Sequence, residues 1–362
     1  MQHTNPLLCN TDTGNKFITI GEIMLRLTPP NYEKIRMTTS FEASYGGSEA
    51  NIALALANLG VDSTFFSVVP NNSLGKSAIR MLRSNDVHCT PVILSTPEQT
   101  PTHRLGSYYL ETGYGIRASK VIYDRKNSAI TEFDFSGVDL HQLLDGFTWL
   151  HLSGITPALA PNCKKLTIDC LKAAKEKGIT VSFDGNFRSK LWTWEEARDF
   201  CTECLPYVDV LLGIEPYHLW KDENDHSRGD VKDGVPLQPS YEQQDEIFQA
   251  FVAKYPNLKC IARHARFAHS GSENSLKAFI WYQDHTFESK LFTFNILDRV
   301  GGGDAFASGL IYAMMHGYKP MDMANFAVAS SAIKHTIRGD ANITDDVESI
   351  RNLMNMNYDI KR

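Results

Sequence analysis

The 362-residue sequence predicts an α/β fold, a mostly parallel sheet covered by helices on both faces. Three observations carry this expectation. Apolar, β-branched runs alternate with helical stretches along most of the chain. Those runs lack the polar alternation of a half-solvated sheet, so both of their faces are buried. One aromatic, Gly-punctuated segment breaks the alternation and calls for a small separate sheet.

In chain order, FITIGEIML (Phe17–Leu25) reads as one buried strand, stopped by Pro29 and Pro30. A helix follows from Ser48, with Ile52, Leu56 and Leu59 on one face and Gly60 as its stop. Asp62–Val69 is a strand, and SAIRMLRSNDV the next helix. Residues 102–124, HRLGSYYLETGYGIRASKVIYD with flanking Thr102, are aromatic and alternating, which suggests antiparallel strands. The strand–helix alternation then resumes with WLHLSG, the helix Cys163–Lys177, ITVSFDGN, the helix Glu195–Cys204 and VDVLLG. Residues 221–240 hold many charges and two prolines and read as an exposed loop insertion. Tyr241–Lys254 is helical, LKCIA and LKAFIWY are strands, and three helices follow from Gly303. Residues 1–16 form a polar tail.

The apolar fraction is 43% and the charged fraction 22%, which rules out general disorder. A net charge of −6 argues against a nucleic-acid binder, yet leaves a local anion site open. No apolar run reaches 18 residues, so no membrane partner is expected. The N-terminus lacks the basic start and apolar core of a signal peptide, so the expectation is a soluble cytoplasmic protein. Seven scattered cysteines fit reduced thiols. Cys201 and Cys204 form one C-x-x-C with no second pair, and a zinc or redox role is not expected.

The chemistry concentrates in FNILDRVGGGDAFASGLIYAMMHG (Phe294–Gly317), where a strand meets three glycines and an apolar helix. Gly301, Gly302 and Gly303 let a ligand approach the backbone, at a helix start whose first N–H groups lack internal partners. Those donors and the helix dipole make an anion site. Asp304 then stands in the first turn, where it could accept a proton from an attacking hydroxyl. The plainer alternative is a tight strand–helix turn with Asp as a cap. A second polar cluster is YGGSEAN (Tyr45–Asn51), where Gly46 and Gly47 admit a polar ligand and Asn51 lies one turn in. A third is SFDGNFRSKLW, whose strand end delivers Asp184, Asn186 and Arg188 to one loop. PNNSLGKS (Pro70–Ser77) imitates a P-loop, but Pro70 replaces its first glycine. Gly301–Phe306 fails the dinucleotide fingerprint because Phe306 takes the last glycine position.

Together these segments resemble the ribokinase-like (PfkB-type) carbohydrate kinases. D-R-V-G-G-G-D at Asp298–Asp304 is similar to that family's second signature, usually D-T-x-G-A-G-D, and Tyr45–Asn51 to its Gly-Gly signature. Three segments, His151–Leu159, Asp184–Arg198 and Ile122–Ala129, resemble the family's 2-keto-3-deoxygluconate kinases. The resemblance implies a three-layer ribokinase-like sandwich in one domain over residues 17–356, with a discontinuous β lid from about 23–45 and 102–125. It implies transfer of phosphate from ATP, with Mg²⁺, to the terminal hydroxyl of the sugar acid. Carried over, Gly47, Asn51, Tyr108, Tyr123, Arg125, Arg188 and Asp340 would contact the sugar acid, Gly301–Gly303 would be the anion hole and Asp304 the base. Asn186, Arg263, Gly301 and Gly303 would bind the nucleotide. The lid would exclude water and pair with another subunit's lid, giving a homo-oligomer.

Departures are visible too. The N-x-x-E motif linked to Mg²⁺ reads GIEPYHL (Gly213–Leu219), leaving Glu215 as the carboxylate for the metal. The nucleotide loop reads RHARFAHSGSENS (Arg263–Ser275), longer and more polar than usual. Gly302 stands where Ala is common, and Arg299 where Thr is common. The alternatives are another sugar kinase, such as a fructokinase or 5-keto-2-deoxygluconate kinase, and a non-catalytic sugar-binding protein on the same fold. Substrate stereochemistry, oligomer size and a monovalent-cation requirement stay open.

Overall fold

The computed structural model describes residues 14–217, 231–232, 235–236, 240–344 and 346–357. The first strands are β1 (Lys16–Ile20), β2 (Met24–Thr28), β3 (Glu42–Gly46), β4 (Asp62–Phe66), β5 (Val68–Pro70), β6 (Ile93–Ser95), β7 (Ser107–Glu111) and β8 (Lys120–Asp124). Then come β9 (Trp149–Ser153), β10 (Thr180–Asp184), β11 (Val210–Leu212), β12 (Val231–Lys232), β13 (Val235–Pro236) and β14 (Cys260–Ala268). β15 (Glu273–Tyr282), β16 (His285–Glu288) and β17 (Phe292–Asn295) complete the strands. The helices are α1 (Ser48–Asn58), α2 (Ser73–Arg83), α3 (Ala129–Glu132), α4 (Leu140–Leu143), α5 (Pro161–Glu176) and α6 (Trp194–Cys204). α7 (Tyr241–Lys254), α8 (Gly302–Met315), α9 (Pro320–Lys334) and α10 (Val347–Met354) follow.

The main sheet has the order β16–β15–β14–β11–β10–β9–β1–β4, with β17 also beside β15. From β14 to β4 every pairing is parallel, and β15 adds an antiparallel edge. Successive residues enter opposite cores, as period-two side chains must. Phe17, Val210, Leu212, Cys260 and Ala262 pack with α1, α8 and α9 on one face. Ile18, Leu211 and Ile261 pack with α5, α6 and α7 on the other. This is the expected three-layer arrangement. A second sheet, β3–β2–β7–β8, stands apart. Its strands fall in the stretches 23–46 and 102–125, and β7 and β8 pair antiparallel as their alternating aromatics suggest.

Several expectations are corrected. Phe17–Leu25 is not one strand: β1 belongs to the main sheet and β2 to the small one. The chain leaves the main sheet at Gly21, where any Cβ would overlap the Glu49 carboxylate of α1. Asp62–Val69 likewise divides into β4 and β5. The strand before the glycines ends at Asn295, short of Asp298. Arg263–Ser275 is not a loop but two paired strands, β14 and β15, joined by a short turn. Helix α2 starts within the P-loop-like segment, its first turn capped by Asn72 through Leu74 N at 3.0 Å and Gly75 N at 3.1 Å. The thiols of Cys201 and Cys204 are buried in the core, and burial pushes both up. Of the expected tail, residues 1–13 lie outside the described residues, and Lys16 already opens β1. Of the 221–240 insertion, only β12, β13 and Ser240 are described. Among the described residues no helix is long and apolar enough to cross a membrane.

Candidate active site

The N-termini of α1 and α8 converge on the C-terminal end of β10, the edge where parallel sheets place ligands. The turn before α8 is fixed by its backbone. Gly301 has φ +83°, and a Cβ there would overlap the Asp340 carbonyl oxygen, so no other residue fits. Asp298 holds the turn from below, accepting from Val300 N and Gly339 N, each at 3.1 Å. The amides of Gly303 and Asp304 lie ahead of any partner inside α8 and remain available to an anion.

Asp304 is presented by two neutral donors from α1. Ser48 Oγ donates to its Oδ1 and Asn51 Nδ2 to its Oδ2, both at 2.7 Å. Burial raises its pKa above the usual carboxylate range, while those two hydrogen bonds pull it back. Asn186 Nδ2 donates to Ser48 Oγ at 3.0 Å, and Asn186 N to Asp184 Oδ1 at 2.9 Å. Asp184 is pushed up to about 7, chiefly by burial and against the pull of Arg188. The Arg188 side chain is exposed, bound to the carbonyls of Asn186 (3.3 Å) and Phe187 (3.1 Å). Among the described residues no acid forms a salt bridge with it.

Two cavities meet here. One of about 240 Å³ is lined by Gly47, Asn51, Tyr108, Tyr123, Arg125, Arg188, Asp304, Asp340 and the three glycines. A neighbouring one of about 490 Å³ is lined by Asn186, Arg188, Glu215, Arg263, His264, Arg266 and Gly303. The residues expected to hold the sugar acid thus share the first cavity. Asn186, Arg263 and Gly303 share the second, and Gly301 lines only the first. Asp184, Asn186, Arg188 and Gly303 line both, where a group passing between them would stand.

Several of these residues are already engaged. Arg125 pairs with buried Glu22, its Nε at 2.7 Å, and Ser128 donates to the same carboxylate. Tyr108 donates its hydroxyl to Asp340, and Asp340 pairs at 2.5 Å with Arg26. Burial raises the Asp340 pKa, against Arg26. Arg188 is therefore the better placed of the two arginines to meet an incoming carboxylate. Arg263 is buried, donating to Gln244 Oε1 at 3.0 Å and facing Glu215 at 3.6 Å. A magnesium ion commonly takes one or two carboxylates, with phosphates and water completing its shell. Asp184 and Glu215 on the wall of the larger cavity fit that demand.

The sequence places Asp184 with Asn186 and Arg188 on one loop but gives Ser48 no role beyond starting a helix. Ser48 sits three residues before Asn51, on the same helical face, and that spacing was the available signal. Arg26 was missed as well; a lone arginine inside the apolar run MLRLT was its signal.

Residues 15–216 match the family described as pfkB family carbohydrate kinase. A 2-dehydro-3-deoxygalactonokinase of Haloferax volcanii is 31% identical over 340 residues, 92% of this chain and 96% of the relative. The crystal structure of a 2-dehydro-3-deoxygluconokinase from Thermotoga maritima superposes with a TM-score of 0.85 at 37% identity, covering 94% of this chain and 99% of that one. A putative ribokinase II from E. coli, solved with ATP and Mg²⁺, has the same fold, with a TM-score of 0.74 at 20% identity over 94% of this chain and 99% of that one.

Proposed function

Since the chain belongs to the pfkB family of carbohydrate kinases, we propose that it phosphorylates 2-keto-3-deoxygluconate at its 6-hydroxyl with ATP. The observation that carries this reading is Asp304, a carboxylate raised by burial and held at the mouth of the glycine turn. Its oxygens take the proton of the terminal hydroxyl as that oxygen forms its bond to the γ-phosphorus and the bond to ADP breaks. The free amides at the start of α8 stabilise the charge on the phosphoryl oxygens. The sugar acid occupies the 240 Å³ cavity with its carboxylate toward Arg188, and ATP the 490 Å³ cavity. Asp184 and Glu215 would hold Mg²⁺, which supplies neutralisation of phosphate charge. The small sheet, through Tyr108 and Tyr123, covers the sugar and excludes water. Its edge strand β8, with Ile122 and Tyr123 each 42% exposed, would pair with a second copy.

A second reading, the galactonate-derived epimer as substrate, is favoured by the name of the Haloferax relative. Replacement Asp304→Asn tests the base. We expect kcat to fall about 10²–10⁴-fold with ATP affinity retained, the usual contribution of a positioned base. Near-normal turnover would remove Asp304 from that role.

A further inference from the structure

We propose that Lys334 is a tethered cation, a positioning residue whose ammonium holds the glycine turn in shape and stands where an exchangeable ion would otherwise be needed. The inference rests on the proposed role of Gly301–Gly303 as the anion site. Lys334 closes α9 and is fully buried. Among the described residues its Nζ donates to no carboxylate. It donates to two backbone carbonyls, Ile337 O at 3.2 Å and Asp298 O at 3.5 Å. Those carbonyls belong to the two segments whose meeting shapes the turn. Leu297 N and Asp298 N donate to His335 O at 2.8 and 3.1 Å, and Ser331 Oγ to Gly302 O at 2.8 Å.

Arg26 pairs with both Asp298 and Asp340 at 2.5 Å, so the two carboxylates already have a partner at contact distance. Burial, together with Arg26, leaves the Lys334 pKa below the usual lysine range, while three acids, Asp298, Asp340 and Asp304, favour the ammonium. A buried charge costs more than an apolar side chain of equal volume would. Retaining one here is explained by what it grips. Converging carbonyl oxygens are also how a protein binds a bare monovalent ion.

The experiment compares wild type, Lys334→Ala and Lys334→Met by ADP release, on whichever sugar acid the wild type turns over, in choline chloride and in potassium or ammonium chloride. We expect wild-type kcat to be equal in all three salts. The alanine variant should lose at least tenfold in kcat with KM for ATP within about threefold. Ammonium or potassium should restore it saturably and raise its thermal midpoint. The methionine variant, which fills the space, should not be restored. The proposal is overturned by a wild-type requirement for potassium, by full kcat in a folded alanine variant, or by a folded, slow alanine variant that no cation restores. Should the alanine variant not fold, a folded methionine variant with reduced kcat supports the proposal and one with full kcat overturns it. Failure of the Asp304 reading appears separately, in Asp304→Asn, and leaves the salt profile unchanged.

Discussion

Gly302 offers the sharpest test of how the glycine turn is packed. A Cβ added there would lie 2.9 Å from His335 Nε2, 3.2 Å from Nδ1 and closer still to Cε1. Ordinary contacts are longer, so the ring must move. It is not free to do so, because Nδ1 donates to Ser331 O at 2.7 Å and the ring lies 4.8 Å from Phe294. Burial holds this imidazole down at about 4, so it is neutral at working pH and its displacement strands no charge. Gly302→Ala should therefore cost about 1–3 kcal/mol, the usual range for overpacking. In a chain of 362 residues that lowers the thermal midpoint by roughly 1–2 °C per kcal/mol. Removing the obstacle should recover much of the loss. The double variant Gly302→Ala, His335→Ala should be more stable than the sum of the single effects predicts, by about 1–2 kcal/mol, as expected for residues in direct contact. Differential scanning calorimetry on the four proteins gives the cycle. Additive effects, or an alanine at 302 that costs nothing, would refute the claim that His335 occupies the space an Ala side chain needs.

Arg188→Ala should raise KM for the sugar acid about 10–100-fold and for a neutral sugar much less, since a charge-assisted pair contributes roughly 1.5–3 kcal/mol; equal effects in steady-state kinetics would argue against carboxylate recognition. The Asp184 carboxyl, at about 7 against an ordinary 3.8, supports the folded state below pH 4 and loses that support as pH rises through 7. Asp184→Asn should therefore gain stability relative to wild type between pH 4 and 8, by at most about 4 kcal/mol for a difference of roughly 3 pH units. Its side chain reaches the water of the cleft, which lowers that ceiling. Urea midpoints at both pH values check the sign, and a difference that shrinks with pH would contradict it.

How much was legible follows from how local each signal is. The glycine turn with Asp304 and the Gly-Gly helix start are short-range patterns, and residues carried over from them share one cleft. The alternation of faces in β1, β11 and β14 is equally local. What was not legible depends on distant partners. Arg26 meets Asp298 and Asp340 across 272 and 314 positions, and Ser48 meets Asp304 across 256. Arg125 looks free in sequence until Glu22 arrives from β2's approach, 103 positions away. The division of Phe17–Leu25 between two sheets is set by the approach of Glu49 to Gly21, and no periodicity encodes it. Arg263–Ser275 reads as polar loop because one face of its hairpin is wetted by the cleft, while Ala265 and Leu276 pack inward.

The central claim is that the cleft transfers phosphate from ATP to a keto-deoxy sugar acid. Coupled ADP release over 2-keto-3-deoxygluconate, its galactonate epimer, 5-keto-2-deoxygluconate, fructose and ribose tests it most directly. The account predicts turnover with the 2-keto-3-deoxy acids, at a kcat/KM at least about 100-fold above the neutral sugars, and phosphate on the 6-oxygen by ³¹P NMR. Preference for a neutral sugar, or no ADP release with any of the acids, would contradict it.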